Sequence, residues 1–496
     1  MTDPGESPTS TLIPLTSPEP GPSYGTKVFA VEAAGSEAIP DADRHGRPLH
    51  LLWTWISPNM EFATVFIGVL AVAVFGLSFW QAVSALLLGT GLASLCLGLL
   101  SQDGPLHGLP QMALSRLAFG HLGNRVPAAV NTLTAGLGWF AVNSVSAALA
   151  VNTLFGLPKI PSLLIVGAIQ IVVGFLGHNL IHRVERFAMP VLVAVFLTAT
   201  AITFSKAHLG AAGHGGGTGG FLLTAGAAFG YAGGWTPFAA DYSRYLPSTS
   251  SKWQTGLWPA VGNFCSNAVL LAAGAASATI ATDPNASPTA AFTGLLPHAV
   301  ADLTLAAIIL GGICANALNI YSAAVSFTTL GITLPIRSLR AWAVIVFGIL
   351  GTAVALTGLK DSGTRYENFL LIISYWVGPW IAVYFTERFL TRRDDVSNRL
   401  TNPRYSNWSG VLSFLIGAVV SVWLFSNQSY YSGPIAKAHP AIGDITSAVG
   451  FALAGLCHIA LRRIPALGPS ISTTVAVPRS RQRRMSADSR SPRSGL

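Results

Sequence analysis

Apolar stretches of about 20 residues recur along the chain, each long enough to cross a hydrocarbon core about 30 Å thick. They begin near Leu51, Phe79, Val126, Pro161, Val184, Phe221, Gly256, Leu303, Ala341, Phe369, Val411 and Ala441. This pattern predicts an all-α polytopic membrane protein with twelve transmembrane helices. Polar residues collect in the connections and at the two ends. Residues 1–50, rich in Pro, Ser, Thr, Gly and acids, read as a disordered cytoplasmic tail without a secretory signal. Residues 51–390 hold ten spans, residues 391–461 two more, and residues 462–496 form a basic cytoplasmic tail.

Composition narrows the function. Hydrophobic residues make up 51% of the chain and charged ones 10%, against about 25% charged in soluble domains, which excludes a soluble globular enzyme. The net charge of +9 does not point to nucleic acid, because three of the 29 Lys and Arg precede Leu51 and eight follow Leu461. Cys96, Cys265, Cys314 and Cys457 lie in apolar segments without metal-ligand spacing and read as small packing residues. His178 and His182 share a helix face in a short inner loop but lack a third ligand. The GGGTGG run around Gly215 matches a dinucleotide-binding spacing, yet no strand precedes it, and it reads as a flexible linker. No cofactor, metal or catalytic constellation is expected, and no filter motif of a channel is present.

Basic residues orient the spans, because cytoplasmic loops carry the excess of Lys and Arg. With the amino terminus inside, the inner loops hold 13 basic residues, including Arg116, Arg125, Arg183, Arg186, Arg337 and Arg340, and the outer loops five. Both termini are therefore expected in the cytoplasm and the protein in a cell inner membrane.

Spans 1 and 6 break the helix rules. Span 1 carries Ser57-Pro58-Asn59 within LLWTWISPNMEFATVFIGVLA, where proline removes a donor and restricts the residue before it. Span 6 carries Gly226, Gly230, Gly233, Gly234 and Pro237 within FLLTAGAAFGYAGGWTPFAADYSRYLP. Unpaired backbone in lipid is tolerated only where it is buried in protein or lines a cavity. Interrupted spans at the head of each set of five are the mark of transporters built from inverted repeats.

Candidate chemistry lies near these breaks. Glu61 is expected near mid-membrane, where charge is costly and an ionisable residue is a functional candidate, here for proton coupling. Trp139 and Asn143 are four apart on span 3, and Asn316 and Asn319 three apart on span 8, so each pair shares a helix face. Trp235 stands beside the span 6 break. An indole stacks on the face of a planar heterocycle while an amide reads its edge. Asp241 and Arg244 follow span 6 at i, i+3, as a surface ion pair or an inner gate, and Gly378-Pro379 in span 10 is a candidate flexing element.

The segments GLPQMALSRLAFG, GWFAVN, FGYAGGWTPFAADYSRYLP and ANALNIYS resemble the nucleobase:cation symporter-1 family, most closely its purine-cytosine permease branch. The resemblance implies a LeuT-type fold, a 5+5 inverted repeat plus two C-terminal helices, with a substrate site between spans 1, 3, 6 and 8. By motif, Trp139 and Trp235 match the pair that sandwiches the base, Asn143 its span 3 contact, and Asn316 and Asn319 its span 8 contacts. Ala63 and Thr64 fall near another substrate position. Sodium-coupled relatives use span 8 hydroxyls where this chain has Cys314 and Ala315, and hard sodium prefers oxygen ligands. The expected function is proton symport of cytosine or a purine by alternating access. The alternative is a symporter of the same fold for allantoin, a hydantoin, thiamine or another small nitrogenous solute, with sodium as the other candidate ion. The expected partners are the substrate and the bilayer, without nucleic acid or an obligatory protein partner.

Overall fold

The computed structural model describes residues 35–176, 178–281, 288–331 and 336–471. The side chains of 174–188 and 336–341, which include His178, His182, Arg183, Arg186, Arg337 and Arg340, lie outside the described residues. So do residues 1–34 and 472–496 of the two expected tails.

A helix or broken helix pair stands at each of the twelve positions read from hydropathy. Among the described residues, seven helices are long and apolar enough to cross a membrane on their own, and a bent pair makes an eighth. That pair is span 1. Helix His50–Ile56 runs into a one-turn 3-10 helix at Ser57–Asn59, Glu61 is extended (φ −144°, ψ 165°), and helix Phe62–Ala73 leaves at a bend of 60°. Span 6 is interrupted more gently. Helix Gly217–Gly233 gives way to a 3-10 turn at Thr236–Phe238 and a short helix at Ala239–Ser243. Both breaks carry proline near the start of the 3-10 turn, where its missing N–H costs no helical bond. The two interruptions thus share a local device, serine or threonine followed by proline.

Span 3 (Arg125–Phe155) holds a feature that hydropathy does not reveal, a π-helical stretch at Thr134–Trp139 ending on the indole residue. Such bulges are frequent at functional sites because the extra residue re-aims the side chains beyond it. Span 2 (Phe79–Ser101) starts from a capping box in which Ser78 and Gln81 exchange hydrogen bonds. Span 7 (Lys252–Ala278) packs along spans 1 and 2, and span 8 (His298–Thr328) along span 3 and span 5 (His178–Lys206). Span 10 (Ser362–Leu390) lies against span 6 on one side and spans 11 (Trp408–Phe425) and 12 (Thr446–Leu461) on the other.

Lipid supplies little drive for helix association, so close van der Waals contact must do it, and small residues allow backbones to meet. A Cβ on Gly68 would overlap the carbonyl oxygen of Leu271, and one on Gly274 that of Val65, which sets the approach of spans 1 and 7. Gly89 meets Ala225 and Gly230 meets Leu370 in the same way, seating span 6 between spans 2 and 10.

Three expectations are corrected. The GGGTGG run is a packed corner: Gly217 begins span 6, and the N–H of Gly216 donates to the Gly76 carbonyl at 3.1 Å. His178 and His182 fall in the helix of span 5 and not in a loop. Residues adjoining the spans at both ends are ordered. Arg44 donates to the carbonyls of Ile39 at 2.9 Å and Pro105 at 2.6 Å, and Ile39 is fully buried. At the other end, Arg462 donates to the buried Glu387 at 2.7 Å, and Ser470–Ile471 pairs antiparallel with Tyr405–Ser406.

Gly274→Val drives two methyl groups into the span 1 backbone, and overpacking of this kind costs about 1–3 kcal/mol. A lower melting temperature of the detergent-solubilised protein is the expected readout, and wild-type melting would contradict the close approach of spans 1 and 7.

Candidate functional site

The two breaks meet inside the helix bundle, and the sequence-predicted residues surround them. Trp139 from span 3 and Trp235 from the span 6 break lie face to face, with ring centroids 6.2 Å apart and planes inclined by only 6°. Both are buried. Two stacked contacts of about 3.5 Å each require about 7 Å between the outer ring planes, more than the 6.2 Å between the centroids, so the indoles must part to admit a flat molecule. Gly234 makes this pairing possible, because a Cβ there would stand 2.9 Å from Cζ2 of Trp139. The Trp235 indole is held in place as its Nε1 donates to Asn59 Oδ1 at 3.0 Å. Asn59 in turn donates to the Trp55 carbonyl at 2.8 Å and to Asn263 Oδ1 at 3.1 Å.

The amides of spans 3 and 8 form one ordered chain. Asn316 donates from Nδ2 to the Phe140 carbonyl at 3.0 Å and to Ser144 Oγ at 3.2 Å. A carbonyl only accepts, which fixes the orientation of the Asn316 amide. Its Oδ1 then accepts from Nδ2 of Asn143 at 3.1 Å and from Nδ2 of Asn319 at 3.4 Å. Both of those amides consequently turn their oxygens away from it. Asn143 Oδ1 and Asn319 Oδ1 are buried without a hydrogen-bond partner, as are Trp139 Nε1, Glu61 Oε2 and Ser322 Oγ. Each unmade buried bond costs about 1–3 kcal/mol. Unpaired polar atoms of this kind call for an explanation, and a ligand that supplies their partners is one. Asn316, expected as a substrate contact, has both ends of its amide occupied by protein and stands behind Asn143 and Asn319 as the group that aims them.

Glu61 closes the span 1 break. Its Oε1 accepts from the Tyr231 hydroxyl at 3.1 Å, and that hydroxyl also lies 2.5 Å from Thr64 Oγ1. Thr64 donates to the Asn59 carbonyl at 2.7 Å, and the Ala63 carbonyl accepts from Tyr366 at 3.0 Å. Ala63 and Thr64 therefore bind the start of the helix Phe62–Ala73 to spans 6 and 10. None of the ion pairs among the described residues includes Glu61.

Access differs on the two sides. Phe369 meets Trp139 edge-on at 5.1 Å and also lines a cavity of about 230 Å³ with Phe62, Phe66, Val142 and Tyr366. This cavity lies toward the Ser362 end of span 10, the outer side in the positive-inside assignment. On the opposite side, Trp55 packs edge-on against Trp235 at 6.0 Å and against Tyr242 at 5.5 Å. Below them Arg244 donates to the Gly35 carbonyl at 2.9 Å and to the Tyr321 hydroxyl at 3.3 Å. Asp241 accepts from the Gln111 backbone at 2.9 Å. Asp241 and Arg244 are both buried, so they do not stand at the surface as the first of the two readings of their spacing expected. Gly378 and Pro379 are not brought to the site. They face Ser447 and Gly450 of span 12, where a side chain on Gly378 would collide with Ser447.

Sequence reasoning passed over Tyr231, Asn59 and Phe369. Tyr231 stands four residues before Trp235 and Asn59 two before Glu61, so proximity to the breaks was a usable signal. Phe369 carried none, being one apolar residue in an apolar span.

Two interrupted spans meeting around buried aromatic faces and unpaired polar atoms define a secondary transporter of the broken-helix class. The chain belongs to the family of permeases for cytosine/purines, uracil, thiamine and allantoin, which it matches over residues 38–450. The purine-cytosine permease FCY2 of Saccharomyces cerevisiae is 30% identical over 467 residues, covering 87% of this chain and 85% of its own. The purine-cytosine permease fcyB of Emericella nidulans is 28% identical over 479 residues, covering 89% and 92%. In fold the chain is similar to Mhp1, a nucleobase-cation-symport-1 family transporter solved in a closed conformation with bromovinylhydantoin bound. The TM-score is 0.67 at 20% identity, covering 86% of this chain and 94% of that one. The protein is a membrane transporter and not an enzyme.

Gly234→Ala places a methyl group against the Trp139 indole and is expected to weaken binding of a flat ligand by about 1–3 kcal/mol, the range for overpacking. Ligand affinity of the purified variant checks it, and wild-type affinity would contradict the tight indole pairing.

Proposed function

We propose that the protein imports a nucleobase, cytosine or a purine, across the cell membrane by proton symport. The observation that supports the substrate class most directly is the pairing of parallel indoles with two amide oxygens whose direction Asn316 fixes. A planar base stacks between the rings, and its ring N–H and exocyclic amine donate to Asn143 Oδ1 and Asn319 Oδ1. A solute without donors on that edge leaves both oxygens unpaired, which is how a polar site rejects the wrong ligand.

The proton is favoured as the driving ion by Glu61, a buried carboxyl at the break of span 1 that forms no ion pair among the described residues. Span 8 presents Cys314 and Ala315 where sodium-coupled relatives carry hydroxyl ligands, which supports the same reading. In the proposed cycle the base and proton enter from the Phe369 side, the indoles and span 10 close over them, and the plug of Trp55, Tyr242, Tyr321 and Arg244 then opens. A transporter cycles productively when loading changes the balance between its two forms. Both termini then lie in the cytoplasm, in line with the charge bias of the loops.

Trp139→Ala and Asn319→Ala are each expected to abolish high-affinity uptake with membrane expression retained, since base–aromatic stacking contributes about 1–3 kcal/mol per contact and a buried polar group left without its partner costs about 1–3 kcal/mol. Unchanged affinity in both would remove the proposed pocket. Glu61→Gln is expected to retain base binding and lose proton-driven accumulation. The deciding experiment is uptake of a labelled panel of bases, allantoin, a hydantoin and thiamine into proteoliposomes under a proton or a sodium gradient alone. Accumulation of cytosine or a purine under the proton gradient alone supports the reading, and dependence on sodium overturns its ion assignment.

A further inference from the structure

We infer that Tyr231 is the positioning residue that couples proton occupancy of Glu61 to the indole pair, an inference that rests on the reading of Glu61 as the proton site. Thr64 has one hydroxyl hydrogen, and it goes to the Asn59 carbonyl, which can only accept. Thr64 Oγ1 therefore meets the Tyr231 hydroxyl as an acceptor. The phenol also has one hydrogen, and two acceptors stand within its reach: Glu61 Oε1 at 3.1 Å and Thr64 Oγ1 at 2.5 Å.

The charge on Glu61 decides between them. An ionised carboxylate is the stronger acceptor and draws the phenol hydrogen. A protonated carboxyl donates its own hydrogen to the phenol oxygen, and the phenol hydrogen turns to Thr64. No proton is lost or gained by Tyr231 in either arrangement. The two states differ in the direction of the Glu61–Tyr231 bond and in whether Tyr231 donates to Thr64, at the span 1 break.

Both ends of this relay hold an indole. The Tyr231 ring packs edge-on against Trp139 with centroids 5.5 Å apart and planes at 74°. At the far end Asn59, whose carbonyl receives the Thr64 hydrogen, uses its side-chain oxygen to accept from Trp235 Nε1. Parting the indoles to admit a ring displaces Trp139 against Tyr231, and with it the hydroxyl that faces Glu61. Among the described residues, the titratable groups that face Glu61 are Tyr231 from span 6 and Tyr366 from span 10, whose hydroxyl donates to the Ala63 carbonyl; span 8 meets it with Gly311. The relay thus connects the carboxyl to both rings. Coupling is reciprocal: a proton that tightens base binding by some factor is itself tightened by the base by that factor.

The test is base affinity of the purified protein at acid and at alkaline pH. In the wild type the two values should differ by about 5–150-fold, the range of ordinary coupling energies. Tyr231→Phe removes the shared hydrogen and keeps the ring, and its ratio should fall to near one. A side chain with a merely structural role would lower affinity equally at both pH values and leave the ratio intact, which would overturn the inference. Thr64→Val cuts the second leg while keeping the tyrosine, and should also flatten the ratio; a wild-type ratio there overturns the inference even where Tyr231→Phe binds no base. Glu61→Gln separates the two levels. A wild-type ratio in Glu61→Gln defeats the proton-site reading itself, whereas a flat ratio there beside a wild-type ratio in Tyr231→Phe defeats the relay alone.

Discussion

The structure depends on the cost of leaving a backbone polar group unpaired inside a membrane. Each continuous span meets that cost within its own helix, and spans 1 and 6 cannot. Their 3-10 turns recover part of it: the Met60 N–H donates to Ser57 and the Phe238 N–H to Trp235. Side chains supply the rest. Thr64 donates to the Asn59 carbonyl, Tyr366 to that of Ala63, and Asn59 to that of Trp55. The same groups that pair the broken backbone also hold Trp235 and face Glu61, so repairing the break and building the site are one arrangement.

Close packing places that arrangement. Gly68 and Gly274 bring spans 1 and 7 together, and through this contact Asn263 and Ser266 of span 7 reach Asn59. Gly230 seats span 6 against span 10 and Gly234 leaves room for the Trp139 ring. A polar chain from Phe140 through Asn316 to Asn143 and Asn319 then sets which atoms face a ligand. Orientation of these amides follows from one carbonyl that can only accept, and it leaves the oxygens of Asn143 and Asn319 as unpaired acceptors.

Much of this was legible in the sequence. Proline and glycine density located both breaks, and helical spacing put Trp139 with Asn143 and Asn316 with Asn319 on shared faces. The chemistry of residue types, an indole beside an amide, identified the pair that the fold brings together. Legibility failed where a role depends on what lies across the gap. Asn316 and Asn319 are alike in sequence terms, yet one is saturated by Phe140, Ser144 and the two neighbouring amides, and the other keeps a free oxygen. Gly378 and Pro379 read as a flexing element, and their contact with span 12 could not be read from their own stretch. The glycines around Gly215 read as slack chain and instead pack against the corner at Gly76.

By itself the sequence determined the solvent of each segment, the sites where helices must fail, and the residues chemically able to hold a flat polar ring, because hydropathy, proline geometry and side-chain chemistry are properties of short stretches. Only the tertiary structure decided that Tyr231 spans Glu61 and Thr64, that Asp241 and Arg244 are interior, and that the two indoles lie parallel at 6.2 Å. Those facts join residues 96 to 209 positions apart. No local rule sets the distance between such residues; helix packing does.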